Sequence, residues 1–207
     1  MNKTTAIQAI ISATSDQPIV FTTGYSCRIA KHIDDRPNHF YMTGSMGLAA
    51  SIATGIAMAT GSTTIAVDGD GSLLMNPSCL VTAGMTADLP LVHVLLDDSV
   101  YASTGGQATH AARADFVAWA RATGYTAART GNLEEFRRLL QDALSSSTPT
   151  LVHCLLAAED SQVPPRIDLD LRDHQLRFSR HVRAALSADG RRNAGTAGAS
   201  APLRPGG

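Results

Sequence analysis

Val67-Asp68-Gly69-Asp70-Gly71-Ser72, followed later by Leu95-Leu96-Asp97-Asp98-Ser99-Val100, decides the architecture of this chain. The first segment reads as an apolar strand running into a Gly-Asp-Gly-Ser turn. The second reads as an apolar strand that ends on acidic residues. Between them, Asn76-Pro77 reads as an N-cap with proline in the first helical position, opening a helix toward Ala87. Strand, helix and strand in that order deliver both strand ends to one edge of a parallel sheet. Asp70 and Asp98, 28 residues apart, then share that edge, where a hard cation can bridge their oxygens to a phosphate. Gly69 and Gly71 lack the Cβ atoms that would hold an anion away from the backbone, and the helix following Ser72 would aim its first amides at it.

The same alternation extends outward in both directions. Residues 19–23 are strand-like and stop at Gly24; 25–33 have helical spacing. Residues 40–43 form a short strand feeding Gly44-Ser45-Met46-Gly47, and 48–59 are mostly Ala, Ile, Leu and Met, as expected of a helix buried on most sides. The continuous apolar runs at 63–67 and 91–96 suit central strands. Helices are expected over 115–123 and 132–146, the second capped by Asn132 with Glu134 and Glu135 in its first turn. A last strand covers 150–156 and an amphipathic helix 170–186. The pattern is α/β: a three-layer, doubly wound domain around a mostly parallel sheet, spanning residues 1–188. Residues 189–207 are rich in Gly, Ala, Arg and Pro without periodicity and are expected to be a disordered tail.

Composition narrows the function classes. At 207 residues the chain is long enough for one well-buried domain. A net charge of −1 provides no basic field, which argues against a nucleic-acid partner. Cys27, Cys79 and Cys154 make no CxxC and read as reduced core thiols. The first residues carry one lysine and an apolar run broken by Gln8 and Ser12, too weak for a signal peptide, and no run approaches the ~20 residues of a membrane span. A cytoplasmic protein with no membrane partner is the expectation.

The Gly69-Asp70-Gly71 turn and its distal acids resemble the thiamine-diphosphate motif, which begins with Gly-Asp-Gly and normally closes with Asn-Asn. The resemblance implies that Asp70, Asp98 and the carbonyl of Val100 hold Mg²⁺ against the cofactor diphosphate, with Gly69, Gly71 and Ser72 beside them. Asp98 stands where that family usually has an Asn; this keeps an oxygen ligand but adds negative charge. Gly44-Ser45-Met46-Gly47 resembles the family segment in which a bulky apolar residue props the cofactor into its bent form. Met46 matches that residue, and the Gly44 carbonyl matches the acceptor for the aminopyrimidine. His93 and His153, inside apolar strands, read instead as buried, hydrogen-bonded core histidines.

From about residue 18 to 156 the chain is similar to phosphonopyruvate and sulfopyruvate decarboxylases. Thr22-Thr23-Gly24 and Tyr101-Ala102-Ser103-Thr104-Gly105-Gly106-Gln107 carry that likeness. It implies diphosphate contacts from Thr22, Thr23 and Gly24. It also implies that Ser103, Thr104 and Gln107 lie near a pocket for a small anionic 2-oxo acid. Tyr101 and Ala102 replace a histidine and an acid of the phosphonopyruvate enzymes. Gly106-Gln107-Ala108-Thr109 favours phosphonopyruvate over sulfopyruvate. His110 and Arg113 have lesser claims on the substrate; Arg28 could also reach an anion from the first helix, though it reads more readily as part of a solvated helix face.

The resembled family also needs a glutamate against the cofactor pyrimidine, supplied by a separate pyrimidine-binding domain. Glu134, Glu135 and Glu159 are the only glutamates, and none has that context. The expectation is a diphosphate-binding half that works with a partner subunit, with the helix at 48–59 forming part of the interface. Two other readings stay open: a different thiamine-dependent lyase or synthase, and a non-catalytic assembly subunit.

Overall fold

The apolar runs at 63–67 and 91–96 become the centre of a parallel sheet. The computed structural model describes residues 1–157 and 163–196. In chain order the elements are α1 (Lys3–Ala13), β1 (Ile19–Phe21), α2 (Tyr25–Ile33), β2 (His39–Tyr41), α3 (Ala49–Thr60), β3 (Thr64–Gly69), α4 (Asp70–Met75) and α5 (Cys79–Gly84). They continue with β4 (Leu91–Asp97), β5 (Val100–Tyr101), β6 (Gln107–Ala108), a 3-10 turn at Ala111–Arg113, α6 (Phe116–Ala122), β7 (Thr126–Thr130), α7 (Leu133–Leu144), β8 (Thr150–Leu155) and α8 (Leu171–Thr196). Six strands pair in the order β2-β1-β3-β4-β8-β7, all parallel, while β5 and β6 form a small antiparallel hairpin.

Two apolar layers sandwich the sheet, which confirms the three-layer α/β expectation. One joins Ile7 and Ile10 of α1, Ile29 of α2 and Phe136 and Leu140 of α7 to Ile65, Val67, Val92 and Val94. The other joins Ala50, Ala53 and Ala57 of α3, Leu80 of α5 and Phe116 of α6 to Ala66, Leu91 and Leu95. Alternate strand residues feed opposite layers, and burying each large side chain contributes roughly 1.5–3 kcal/mol. Among the described residues no helix is long and apolar enough to cross a membrane. The three cysteines are free and buried, as expected.

Several expectations need correction. The helix after the Gly-Asp-Gly turn begins at Asp70 itself, and Asn76 ends it; Pro77 then separates α4 from α5. Asn76 is therefore a C-cap whose side chain donates to the Gly47 carbonyl at 2.9 Å and ties the two glycine turns together. α3 is buried on one face only, leaving Leu48 and Met58 exposed at 43% and 59%. α1 was not expected, although Ala6, Ile7, Ile10 and Ile11 share one helical face and Asn2 and Thr5 form a capping box. β7 was missed because Thr126-Ala-Ala-Arg-Thr130 is an edge strand without an apolar run. His153 is bonded to Asp97 as expected, but His93 is not: its Nε2 lies 3.5 Å from Asp68 Oδ2, and both ring nitrogens lack a hydrogen bond.

The C-terminal helix protects the other sheet edge. His174 of α8 accepts a hydrogen bond from the Tyr41 backbone amide of β2 at 2.9 Å and stacks between Phe40 and Tyr41. This consumes an edge-strand donor that would otherwise be open to another chain. α8 runs on to Thr196, past the start of the expected tail; residues 197–207 lie outside the described residues.

Candidate functional site

β1 and β3 are neighbours, yet the chain continues from them to β2 and β4 on opposite sides of the pair. The loops leaving their carboxyl ends therefore diverge, and a crevice opens between them. Thr22 and Thr23 enter it from β1, while Gly69, Asp70, Gly71 and Ser72 enter from β3. Gly69 is level with Leu96 of β4, so the next turn carries Asp98 and Val100 to the same place. These residues line one pocket of about 40 Å³ together with Lys3, Met46 and Tyr101.

Asp70 is only 2% exposed. Burial pushes its carboxyl up to about 6; the Thr109 hydroxyl, donating at 2.5 Å, works the other way, and the charges of Asp97 and Asp98 push it higher still. A buried carboxyl repelled by two neighbours is a site short of positive charge, which suits a hard cation. Among the described residues no group of three or more His, Cys, Asp or Glu side chains could hold a metal. Asp70, Asp98 and the Val100 carbonyl could offer oxygen ligands to such an ion.

The two acids at the end of β4 have separate duties. Asp97 is nearly buried; its Oδ2 bonds His153 Nε2 at 2.8 Å, and its Oδ1 accepts from the Ser99 amide and hydroxyl at 3.0 and 3.1 Å. Burial alone would raise Asp97, but these hydrogen bonds hold it below the usual carboxylate range. Asp97 thereby shapes the turn, and Ser99 is driven to a φ of +58°, where glycine is favoured. Ser99→Gly is expected to raise unfolding stability by roughly 0.5–1 kcal/mol, measured by urea denaturation. A drop in stability would mean that the exposed hydroxyl bond matters more than the backbone strain.

Asp98 points elsewhere. Its Oδ2 accepts from Lys3 Nζ at 2.7 Å, with both side chains mostly buried at 14% and 23% exposure. Lys3 cancels the charge that Asp98 adds over an asparagine. Sequence reading missed Lys3 because it lies 95 residues away, in a helix that was not expected. It missed Thr109 for the same reason: only the β5–β6 hairpin brings that hydroxyl to Asp70.

The remaining candidates divide. Thr22 Oγ1 lies 3.0 Å from Ser72 Oγ, which also accepts from the Gly47 amide at 2.9 Å. These hydroxyls knot three loops together beneath the pocket. Gly24 has a φ of +105°, which favours glycine, and a Cβ there would come within 2.9 Å of Ser103 Oγ. At Gly71 a Cβ would lie 2.2 Å from the Tyr101 ring. The room expected there for an anion is thus taken by Tyr101. The oxygen-rich lining suits a metal-bound diphosphate, while Tyr101 occupies the space beside Gly71.

Met46 borders both this pocket and a second cleft of about 480 Å³, which Gly44, Ser45, Ser103 and Thr104 also line. Arg28 faces that cleft and is not a solvated helix residue, contrary to expectation. Gln107 is not among the residues lining either space; its amide folds back over Gly105. His110 and Arg113 are likewise absent from both linings. Glu135 accepts from Thr130 Oγ1 at 2.6 Å, and Glu134 pairs with Arg137 on the surface of α7. Glu159 lies outside the described residues.

Residues 22–154 match the model for the thiamine pyrophosphate enzyme, C-terminal TPP binding domain. Phosphonopyruvate decarboxylase of Streptomyces viridochromogenes is 45% identical over 139 residues, covering 67% of this chain and 35% of that protein. Sulfopyruvate decarboxylase subunit beta of Methanothermobacter thermautotrophicus is 37% identical over 180 residues, covering 87% of this chain and 95% of that subunit. The chain therefore spans about a third of the phosphonopyruvate enzyme but nearly all of the sulfopyruvate subunit. A thiamine diphosphate-dependent 4-hydroxybenzoylformate decarboxylase of Rhodococcus jostii shares the fold with a TM-score of 0.64 at 19% identity, over 78% of this chain and 33% of that one. The switch-point crevice, its glycine turn and these matches place the chain in the thiamine pyrophosphate enzyme family, as a C-terminal TPP-binding domain.

Proposed function

We propose that the chain is the diphosphate-binding subunit of a thiamine-diphosphate-dependent decarboxylase acting on an anionic 2-oxo acid, with 3-phosphonopyruvate as the favoured substrate. The observation that carries this reading is the convergence of Asp70, Asp98 and Val100 on one pocket bordered by Met46. In it, Asp70, Asp98 and the Val100 carbonyl hold Mg²⁺, and Thr22, Thr23, Gly24, Gly69, Gly71 and Ser72 surround the diphosphate. The Gly44 carbonyl would accept a hydrogen bond from the aminopyrimidine, and Met46, which lines both spaces, would support the cofactor. Thiamine diphosphate, when bound, would supply the electron sink for decarboxylation. This chain's own work is to neutralise, orient and keep water away.

A partner chain with a pyrimidine-binding domain supplies the missing glutamate. The exposed apolar side of α3, with Leu48 and Met58, suits such a contact. Sulfopyruvate is the second reading, favoured by the near-complete coverage of the sulfopyruvate beta subunit. The test is co-expression with a glutamate-bearing pyrimidine-domain chain, followed by product analysis on a panel of 2-oxo acids. Carbon dioxide and phosphonoacetaldehyde are expected from the complex alone. Full-rate turnover by the isolated chain would remove the two-chain assignment. Absence of cofactor binding with or without the partner would remove the decarboxylase.

A further inference from the structure

Met46 stands between two spaces of opposite character. The pocket around Asp70 has two carboxylates and one lysine. The larger cleft on the other side is lined by Arg28 and Arg166 and by no carboxylate.

Arg28 is held in place before any ligand arrives. Its Nε donates to the Pro164 carbonyl at 2.6 Å, Nη2 donates to the same oxygen, and its Cζ lies 5.1 Å from the Tyr25 ring centroid. Those contacts leave Nη1 uncommitted among the described residues. They also tie down the strap before Arg166, where Pro164 and Pro165 restrict the backbone. Arg166 has no acidic partner among the described residues, and it lies beyond residues 22–154, so the family match does not assign it a role. Arg28 Nη1 and the Arg166 guanidinium therefore offer two cationic donors to one acid-free cleft, which suits an oxyanion.

We propose that Arg28 and Arg166, aided by the hydroxyls of Ser103 and Thr104, recognise the non-reacting anionic tail of the substrate, a phosphonate or sulfonate group. This rests on the decarboxylase reading. The tail, not the reacting carboxylate, is the sensible occupant. Pairing the carboxylate with two cations would stabilise the ground state whose charge must disappear as carbon dioxide leaves. Anchoring the tail instead provides binding energy that persists through the reaction. The cofactor diphosphate has its own counter-charge in the neighbouring pocket.

The test uses Arg166→Gln and Arg28→Lys in the full chain, with and without its partner. Binding of methylphosphonate and methanesulfonate is followed by NMR, and KM is measured for phosphonopyruvate, sulfopyruvate and pyruvate. Arg166 is exposed, so its replacement does not threaten folding. Methylphosphonate affinity is expected to fall about five-fold or more, and KM for the tailed substrate about ten-fold or more, which erodes its preference over pyruvate. Thiamine diphosphate affinity should stay within about two-fold, because that anchor is separate. Whichever tail shows the larger loss identifies the substrate. If the wild-type complex decarboxylates no 2-oxo acid, the decarboxylase reading falls, and arginine-dependent anion binding alone then decides the cleft. Unchanged anion binding and unchanged KM in both variants would overturn the assignment.

Discussion

Asp70→Asn is expected to weaken thiamine diphosphate binding by about 100-fold or more while making the cofactor-free chain more stable. Both effects come from one cause. The Asp70 carboxyl is raised from 3.8 to about 6 by burial, so it binds its proton more tightly folded than unfolded. Its contribution to stability is full below about pH 4 and is lost as pH rises through about 6, a swing of roughly 2–3 kcal/mol. Asparagine cannot ionise, yet its side-chain oxygen can still accept from Thr109. The variant should therefore unfold about 5 °C higher at pH 7, with little difference at pH 4. Calorimetric titration with thiamine diphosphate and Mg²⁺ measures the first effect, and thermal unfolding at the two pH values measures the second. Equal gains at both pH values would show that the buried charge is not the cause. A loss in affinity below about ten-fold would take Asp70 out of the anchor.

Lys3→Met is expected to reduce cofactor affinity about ten-fold or more, and adding Asp98→Asn in the same chain should restore it to within about three-fold. The reason is charge balance. Lys3 Nζ lies 2.7 Å from Asp98 in a mostly buried pair, so its removal leaves a second uncompensated carboxylate beside Asp70. That carboxylate would repel the diphosphate even where it assisted a metal. Asp98→Asn alone should preserve binding, because asparagine keeps the oxygen and removes the charge that Lys3 otherwise cancels. A double-mutant cycle on dissociation constants checks this, with melting temperatures separating a folding effect. Additive losses would show that Lys3 acts on the diphosphate directly and not by neutralising Asp98.

The parts of the site that were readable in sequence are those carried by short segments. Gly69-Asp70-Gly71 and Gly44-Ser45-Met46-Gly47 could be placed at strand ends because a strand end and a glycine turn fix a backbone shape within a few residues; the roles given to them rest on the family resemblance. The strands at 64–69 and 91–97 were readable because central parallel strands are apolar on both faces. Gln107 lies outside both linings because hairpin geometry, not residue type, decides which way it faces. Arg28 was misjudged since its helix position said nothing of the Pro164 carbonyl that holds it. The helix at 48–59 was misjudged because Ala and Met tolerate both a core and an interface, and composition alone does not separate them.

By itself the sequence determined an α/β sheet, its central strands, and the pairing of Asp70 with a distal acid at one sheet edge. Those follow from local periodicity and turn chemistry, which act over a few residues. The tertiary structure decided the charge around that pair. It brought Lys3 to Asp98, His153 to Asp97 and Thr109 to Asp70, each across at least 39 residues of chain. Electrostatic balance depends on distance in space and on burial, and neither is written in the spacing of residues along the chain. The closing Asp97-Asp98 pair therefore reads as surplus acidity in sequence and as two separately partnered carboxylates in the fold.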